Sequence, residues 1–304
     1  KFIEKHKRIN IIIGNPPFNS GGEDAGRNPL WKIFVEISLD ILNNDGYLVF
    51  IHPPGWKKFH NEYSVDNSLG KIWYEFKKYN LLFVKISDIS PENFPPVDYY
   101  VLKKNSNYNK TLIENIFQGI KSKSELNINK LEFIPNLINV KVLAILNKIF
   151  KKPGEKFDIK NPQTFRANKS DMTTITNGIK HTYVPDGMGN YLIVYKKYDV
   201  IPEYFNKNKI IMSFQPGSSK LMGKLHAKFF NTKIGTNMKT MYYLTDNKNL
   251  EKFFNSKLIE FIVKITQYTN GQFAINDYKI LNLITIPEGL KKNPTDEDIY
   301  NDFI

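Results

Sequence analysis

Cysteine is absent from all 304 residues. Its absence excludes disulfides and thiolate metal sites, and it suits a cytoplasmic protein. Long apolar runs are missing too. No stretch approaches the roughly 18–20 residues of a membrane span, and no signal peptide is visible, so no membrane role is expected. The histidines number only five and lie scattered without ligand spacing, so no metal site is expected. The Asp and Glu-x-Lys constellation of a nuclease is not evident, and no internal repeat is seen. The chain has no Met start; it opens Lys-Phe-Ile-Glu-Lys-His-Lys-Arg and runs at once into a strand pattern. It is therefore expected to be one piece of a longer protein.

Acidic charge is outweighed. Lys and Arg total 43 against 30 Asp and Glu, a net charge of +13, with Lys far outnumbering Arg. Such an excess makes either a solvated lysine-rich surface or a surface for a polyanion, nucleic acid first. The chain also has 17 Tyr and 22 Phe among the lysines. Most must be core, but some would suit stacking on bases. Apolar residues make up 41%, the share of an ordinary globular chain long enough for two domains.

Ile9 to Ile13 read as a buried strand stopped by Gly14 and followed by Asn15-Pro16-Pro17-Phe18. The proline pair cannot continue a sheet ladder, so this corner lies past the strand's carboxyl end, where open α/β sheets bind ligands. A glycine-rich loop, residues 19 to 28, comes next. Asn28-Pro29 starts a helix whose expected buried face is Leu30, Ile33, Phe34, Ile37 and Ile41. Asn43 to Gly46 should turn the chain into a strand, Tyr47–Ile51. That strand ends in a second proline-stiffened loop, His52-Pro53-Pro54-Gly55-Trp56. Strand, helix and strand make one crossover of a parallel sheet, with both proline loops on the same edge. A helix over Ser68–Lys78 and strands at Leu81–Ile86 and Tyr99–Lys103 follow. Then the periodicity fades. Residues 1–106 are expected to form one domain and 107–150 a connection with a short helix. Residues 151–304 should form an α+β domain of short strands around one long helix, Leu250 to Ile265. Within it, a further strand is expected at Leu283–Ile286.

The corner suits one target well. The Asn15 side chain and the Pro16 carbonyl are neutral acceptors in a stiff frame, and Phe18 is an aromatic plate. Together they fit an exocyclic amino group on a flat ring. With both amino hydrogens bonded, the nitrogen is biased toward tetrahedral geometry and its lone pair becomes nucleophilic. No strong base is needed, because the product cation is acidic. His52, at the next strand end, reads as an ordinary loop histidine.

This segment resembles the amino-group DNA methyltransferases, in particular the TaqI-like and Eco57I-like adenine-N6 family. Four stretches match in order: Asn15-Pro16-Pro17-Phe18, Leu30 to Val35, Asp45 to Pro53, and Asn93-Phe94-Pro95 with Val97 to Lys104. The resemblance implies a partial Rossmann-like methyltransferase sheet followed by a DNA-recognition domain. It implies S-adenosylmethionine as methyl donor, with Asn15 and Leu30 beside it. It implies an adenine flipped out of duplex DNA, gripped by Asn15, Pro16 and Pro17 and stacked by Phe18 and Phe94. It also implies a place in a restriction-modification system and a protein that acts as a monomer on DNA.

One family element is not found: a glycine-rich cofactor loop before the corner. The single downstream candidate, Pro185-Asp186-Gly187-Met188-Gly189, is followed by a strand pattern and not by a helix. The cofactor-binding half is therefore expected to lie outside this chain. In the later domain, Lys209-Ile210-Ile211, Thr240–Leu244 and Asn255–Phe261 look like pieces of the family's specificity region. Arg166, Asn168, Lys220 and Lys224 are its candidate DNA contacts. Two other readings remain: an RNA guanine-N2 or protein glutamine methyltransferase, which shares the corner, and a DNA-binding module with an inactive corner.

Overall fold

The isoleucine run before the corner forms β1 (Ile9–Gly14), a strand with two unlike faces. In this computed structural model the described residues are 9–19, 29–60, 70–87, 96–161, 179–183, 192–196, 201–215, 223–268 and 275–303. They fall into two units, Lys1–Leu143 and Ala144–Ile304.

The first unit is mixed α/β. After β1 come α1 (Leu30–Ile41), β2 (Leu42–His52), a 3-10 turn (Pro54–Lys57), α2 (Lys71–Phe76), β3 (Asn80–Ile86), β4 (Asp98–Lys103), β5 (Thr111–Phe117) and β6 (Ile120–Leu126). The six strands lie in the order β1-β2-β4-β3-β5-β6. β1 runs parallel to β2, as strand–helix–strand spacing predicts. β4 runs antiparallel to both β2 and β3, and β5 parallel to β3. The sheet continues past residue 106 because 104–138, unreadable as a period, contains the hairpin β5–β6. Its two-residue turn, Gln118-Gly119, has positive φ at both positions (50° and 77°), the mirror-image turn that suits twisted strands.

Two local expectations change. Asn43 to Gly46 do not end α1 in a separate turn. They form an irregularity inside β2, between the pairs Ile9↔Leu42 and Ile11↔Tyr47, with Asp45 at φ 65°. The buried stripe of α1 is Trp31, Val35, Ser38 and Leu39, while Ile33, Phe34 and Ile37 are exposed. Both sets recur at helical spacing; the stripe carrying the large Trp31 ring faces the core. That core gathers Trp31 and Val35 of α1, Leu48 and Phe50 of β2, Trp56, Trp73 and Phe76, and Val84 and Tyr100.

The second unit is α+β. Helix α3 (Val140–Lys151) carries the chain into it. β9 (Lys209–Ser213) lies between β10 (Lys228–Phe230) and β11 (Thr240–Leu244), antiparallel to both, and β7 (Ile179–Tyr183) pairs with β8 (Leu192–Lys196). The expected long helix is two, α4 (Leu250–Phe254) and α5 (Lys257–Ile265). The break has a cause. The Asn255 side chain takes up the Ala227 backbone, accepting from its N–H at 2.8 Å and donating to its carbonyl at 2.8 Å. Ser256 then caps α5 by accepting from the Ile259 N–H. α6 (Tyr278–Leu281) and α7 (Asp296–Phe303) complete the unit. Leu283–Ile286 is no strand; it makes one isolated bridge, Lys156↔Thr285. No described helix is long and apolar enough to cross a membrane.

Candidate active site

Four chain ends meet along one edge of the first unit's sheet. β1, β2 and β3 finish there and β4 begins there. Gly14, Phe50, Tyr100 and Val84 form one row across these strands, and His52, Asp98 and Ile86 form the next. Asn15 leaves β1 at this edge, and Pro53 leaves β2. Both proline loops therefore open on the same side.

At the corner, Asn15 and Pro17 are exposed, Phe18 is half-buried and Pro16 is buried. The Asn15 amide is therefore presented to solvent while Pro16 anchors it. Gly14 makes the close approach possible, since a Cβ there would stand 3.0 Å from Phe50 Cε1. Leu30, half-buried, is the first residue of α1.

Behind the corner lies a buried aromatic cluster centred on His52. Its imidazole stacks on the Trp31 indole, centroids 4.2 Å apart and planes within 12°. Tyr100 meets the same ring edge-on. His52 Nδ1 is 3.0 Å from the Pro53 carbonyl, an acceptor only, so Nδ1 carries the proton. Nε2 then accepts from the Tyr100 hydroxyl at 3.0 Å. Burial holds this histidine down to about 4, so it is neutral near pH 7.

A second buried set fixes the turn after β2. The Trp56 indole N–H donates to Asp98 Oδ2 at 2.9 Å. Lys57 Nζ donates to Asp98 Oδ1 at 3.3 Å and Asn136 Oδ1 at 3.0 Å. Burial pushes the Lys57 amine below the usual lysine range and the Asp98 carboxyl above the usual carboxylate range, and each charge opposes the other's shift.

The titratable groups nearest this edge are thus committed to structure. What the corner offers a ligand is acceptor geometry and an aromatic plate. It does not by itself fit S-adenosylmethionine: among its described residues nothing cradles a nucleoside or a carboxylate.

Of the other sequence-predicted residues, Phe94, Arg166, Asn168 and Lys220 lie outside the described residues, as does the 185–189 loop and most of the 19–28 loop. Lys224 is exposed in the second unit, beside Gly223, whose N–H donates to Gln267 Oε1 at 3.1 Å. Lys209, in a segment likened to the specificity region, is buried, and its Nζ donates to the Phe205 carbonyl at 3.2 Å. Sequence reasoning missed Trp31, Lys57, Tyr100 and Asp98. A usable signal existed for all four, since Trp31, Asp98 and Tyr100 lie inside stretches already singled out and Lys57 directly follows Trp56.

Comparison with known proteins bears on the first unit. Residues 1–89 match the family model for the Eco57I restriction-modification methylase. No curated protein matches the chain. Among solved structures, the type IIL restriction-modification enzyme MmeI in complex with DNA is similar at 10% identity and TM-score 0.48, over 96% of this chain and 48% of that one. The type ISP restriction-modification enzyme LlaGI, a nuclease-deletion mutant with a DNA substrate mimic, is similar at 11% identity and TM-score 0.45, over 99% and 41%. A modification subunit of a putative type I restriction enzyme from Vibrio vulnificus YJ016 is similar at 16% identity and TM-score 0.28, over 38% and 27%. The chain spans about half the length of MmeI or less of the others.

Proposed function

We propose that this chain is the base-gripping and DNA-reading part of a methyltransferase that modifies adenine N6 in duplex DNA within a restriction-modification system. The observation that carries this reading is the corner itself. Asn15-Pro16-Pro17-Phe18 stands at the carboxyl end of a strand parallel to its neighbour, with the Asn15 amide exposed, inside the span that matches a restriction-modification methylase family.

The corner's work is positioning and acceptor electrostatics. Asn15 Oδ1 and the Pro16 carbonyl each accept one hydrogen of the amino group. Phe18 stacks on a base drawn out of the helix, where N6 is otherwise out of reach. Held so, the nitrogen presents its lone pair, and the proton lost after transfer passes to water. S-adenosylmethionine supplies an electrophilic methyl group when bound.

The donor's binding half is assigned to polypeptide outside these residues. Among the described residues β1 pairs only with β2. Ile12 packs toward the core, while Ile11 and Ile13 on the opposite face are 59% and 75% exposed. An edge strand with exposed isoleucines is a surface built to be covered.

The test is transfer of labelled methyl groups from S-adenosylmethionine to duplex DNA by the full-length protein. Loss of transfer in Asn15→Ala with duplex binding retained supports the reading. Unchanged transfer in that variant overturns the mechanism, and transfer to RNA or a protein glutamine instead of DNA overturns the substrate.

A further inference from the structure

Gly14 faces the core but brings no side chain to it. Ile12, two residues back on β1, packs toward that core, while Ile11 and Ile13 point the other way and are exposed. A Cβ on Gly14 would extend the Ile12 row. The three heavy atoms nearest its place are Cε1, Cδ1 and Cζ of Phe50, at 3.0, 3.5 and 3.7 Å. One ring thus occupies the space that any other residue at position 14 would fill.

Phe50 is the register partner of Gly14 on β2, and it is buried. On its other side it is paired with Tyr100 of β4, which is buried too. The ring is closed in, so it sets how closely the end of β1 approaches the core. Asn15 is joined to Gly14 by one peptide bond. The backbone beyond is stiff: Asn15 precedes a proline and is held extended, and Pro16 has a fixed φ and is buried. Between the ring and the two acceptors, Asn15 Oδ1 and the Pro16 carbonyl, stand only Gly14 and this restricted backbone.

We propose that Phe50 is a positioning residue for the base-gripping corner. Its ring is the stop against which Gly14 seats, and it fixes where Asn15 and the Pro16 carbonyl stand relative to the core. This rests on the functional reading above. Phe50 acts through Gly14 on the reacting geometry, where a displacement of about 1 Å costs on the order of 10²-fold in rate.

A stop of this kind has a signature, reciprocity of size. In Gly14→Ala the added methyl meets the ring and pushes the strand end outward. In Phe50→Leu the ring's Cε1 and Cζ are gone and the strand end settles inward. Combined, the two changes offset, because leucine lacks the atom that the methyl would strike first. The experiment measures single-turnover methyl transfer by the full-length protein carrying each change alone and both together. Each single change moves Asn15 by a fraction of 1 Å, so transfer is expected to slow about 10-fold, with duplex affinity unchanged. The double variant should recover most of the rate. A purely structural ring would lower the melting temperature of Phe50→Leu and leave the rate of the folded enzyme alone, and that result overturns the proposal. A double variant no faster than the slower single overturns it as well. If Phe50→Leu does not accumulate as folded protein, Phe50→Met takes its place in both comparisons, since its unbranched chain bends away from the methyl. The same outcomes then decide.

Crystal structures of these variants need no methyl donor. Displacement of Asn15 Cα relative to β2 in Gly14→Ala, reversed in the double variant, supports the positioning role even if the wild-type protein methylates nothing, an outcome that would sink only the functional reading. An Asn15 that keeps its place in Gly14→Ala overturns the positioning role whatever the protein methylates.

Discussion

Lys57 meets Asp98 entirely inside the protein, Nζ 3.0 Å from Oδ2, with side chains 0% and 1% exposed. The two come from the turn after β2 and the start of β4, so their contact closes the sheet edge behind the corner. A buried pair of this kind costs desolvation that its attraction only partly offsets, but removing one partner strands the other. Lys57→Met should therefore destabilise the fold by about 3–5 kcal/mol. The double variant Lys57→Met/Asp98→Leu should recover part of that, because Trp56 and Asn136 also lose their hydrogen bonds to the pair. Urea denaturation of the single and double variants measures both, and equal losses in the two would contradict the account.

Gly14 has ordinary backbone geometry, so its requirement is space alone. The ring it faces is buried and cannot swing away. Gly14→Ala is expected to cost about 1 kcal/mol and Gly14→Val about 2–3 kcal/mol, since overpacked contacts force the neighbours to move. Methyl transfer should fall further than stability does, because Asn15 is the next residue. Thermal melts beside single-turnover rates separate the two effects.

His52 makes stability depend on pH in one direction. Its folded value is about 4, below the ordinary 6.5 of the unfolded chain. The unfolded state therefore binds more protons between those values, and the contribution is present above pH 6.5 and lost as pH falls through 4. The loss amounts to about 3 kcal/mol at about 1.36 kcal/mol per unit. The melting temperature should be level above pH 7 and drop between 6.5 and 4, and His52→Phe should flatten that drop. A drop of the same size in His52→Phe would assign it to other groups.

Lys224 is exposed, and its neighbouring Gly223 amide is pinned by Gln267. If it meets a phosphate, Lys224→Ala weakens duplex binding for every sequence alike and lowers the salt slope of log K by about 1. Binding titrations across several salt concentrations read this directly. An unchanged slope removes Lys224 from the interface.

The strands and the corner were legible because β-branched runs stopped by Gly and Pro have few other readings. Ile9–Ile13, Tyr47–Ile51, Leu81–Ile86 and Tyr99–Lys103 all became strands. The face of α1 was not legible, because two apolar stripes share its 12 residues and only tertiary packing chooses between them. The hairpin at Gln118-Gly119 was hidden by a strand that buries Thr111 and Asn115 beside Ile113 and Phe117, so its alternation is not one of hydrophobicity. The break at Asn255 depended on Ala227, 28 residues away. His52 looked like a loop residue because it follows a strand and precedes Pro-Pro. Its burial is decided by Trp56 four residues on together with Trp31 and Tyr100, which no local window contains.

Ile13 gives the sharpest check on where the methyl donor's half belongs. Its side chain projects from the face of β1 opposite the core, and its register partner Val49 on β2 is only half-buried. In the 304-residue chain Ile13→Lys replaces an exposed apolar group, so stability should change by less than about 0.5 kcal/mol. If polypeptide of a longer protein covers that face, the same substitution places an unpaired charge beneath it. On the proposed reading, S-adenosylmethionine affinity should then fall while duplex binding persists. Urea denaturation of the 304-residue chain and calorimetric titration of the full-length protein test the two statements separately. Undiminished donor affinity in full-length Ile13→Lys would place the donor's half somewhere other than against β1.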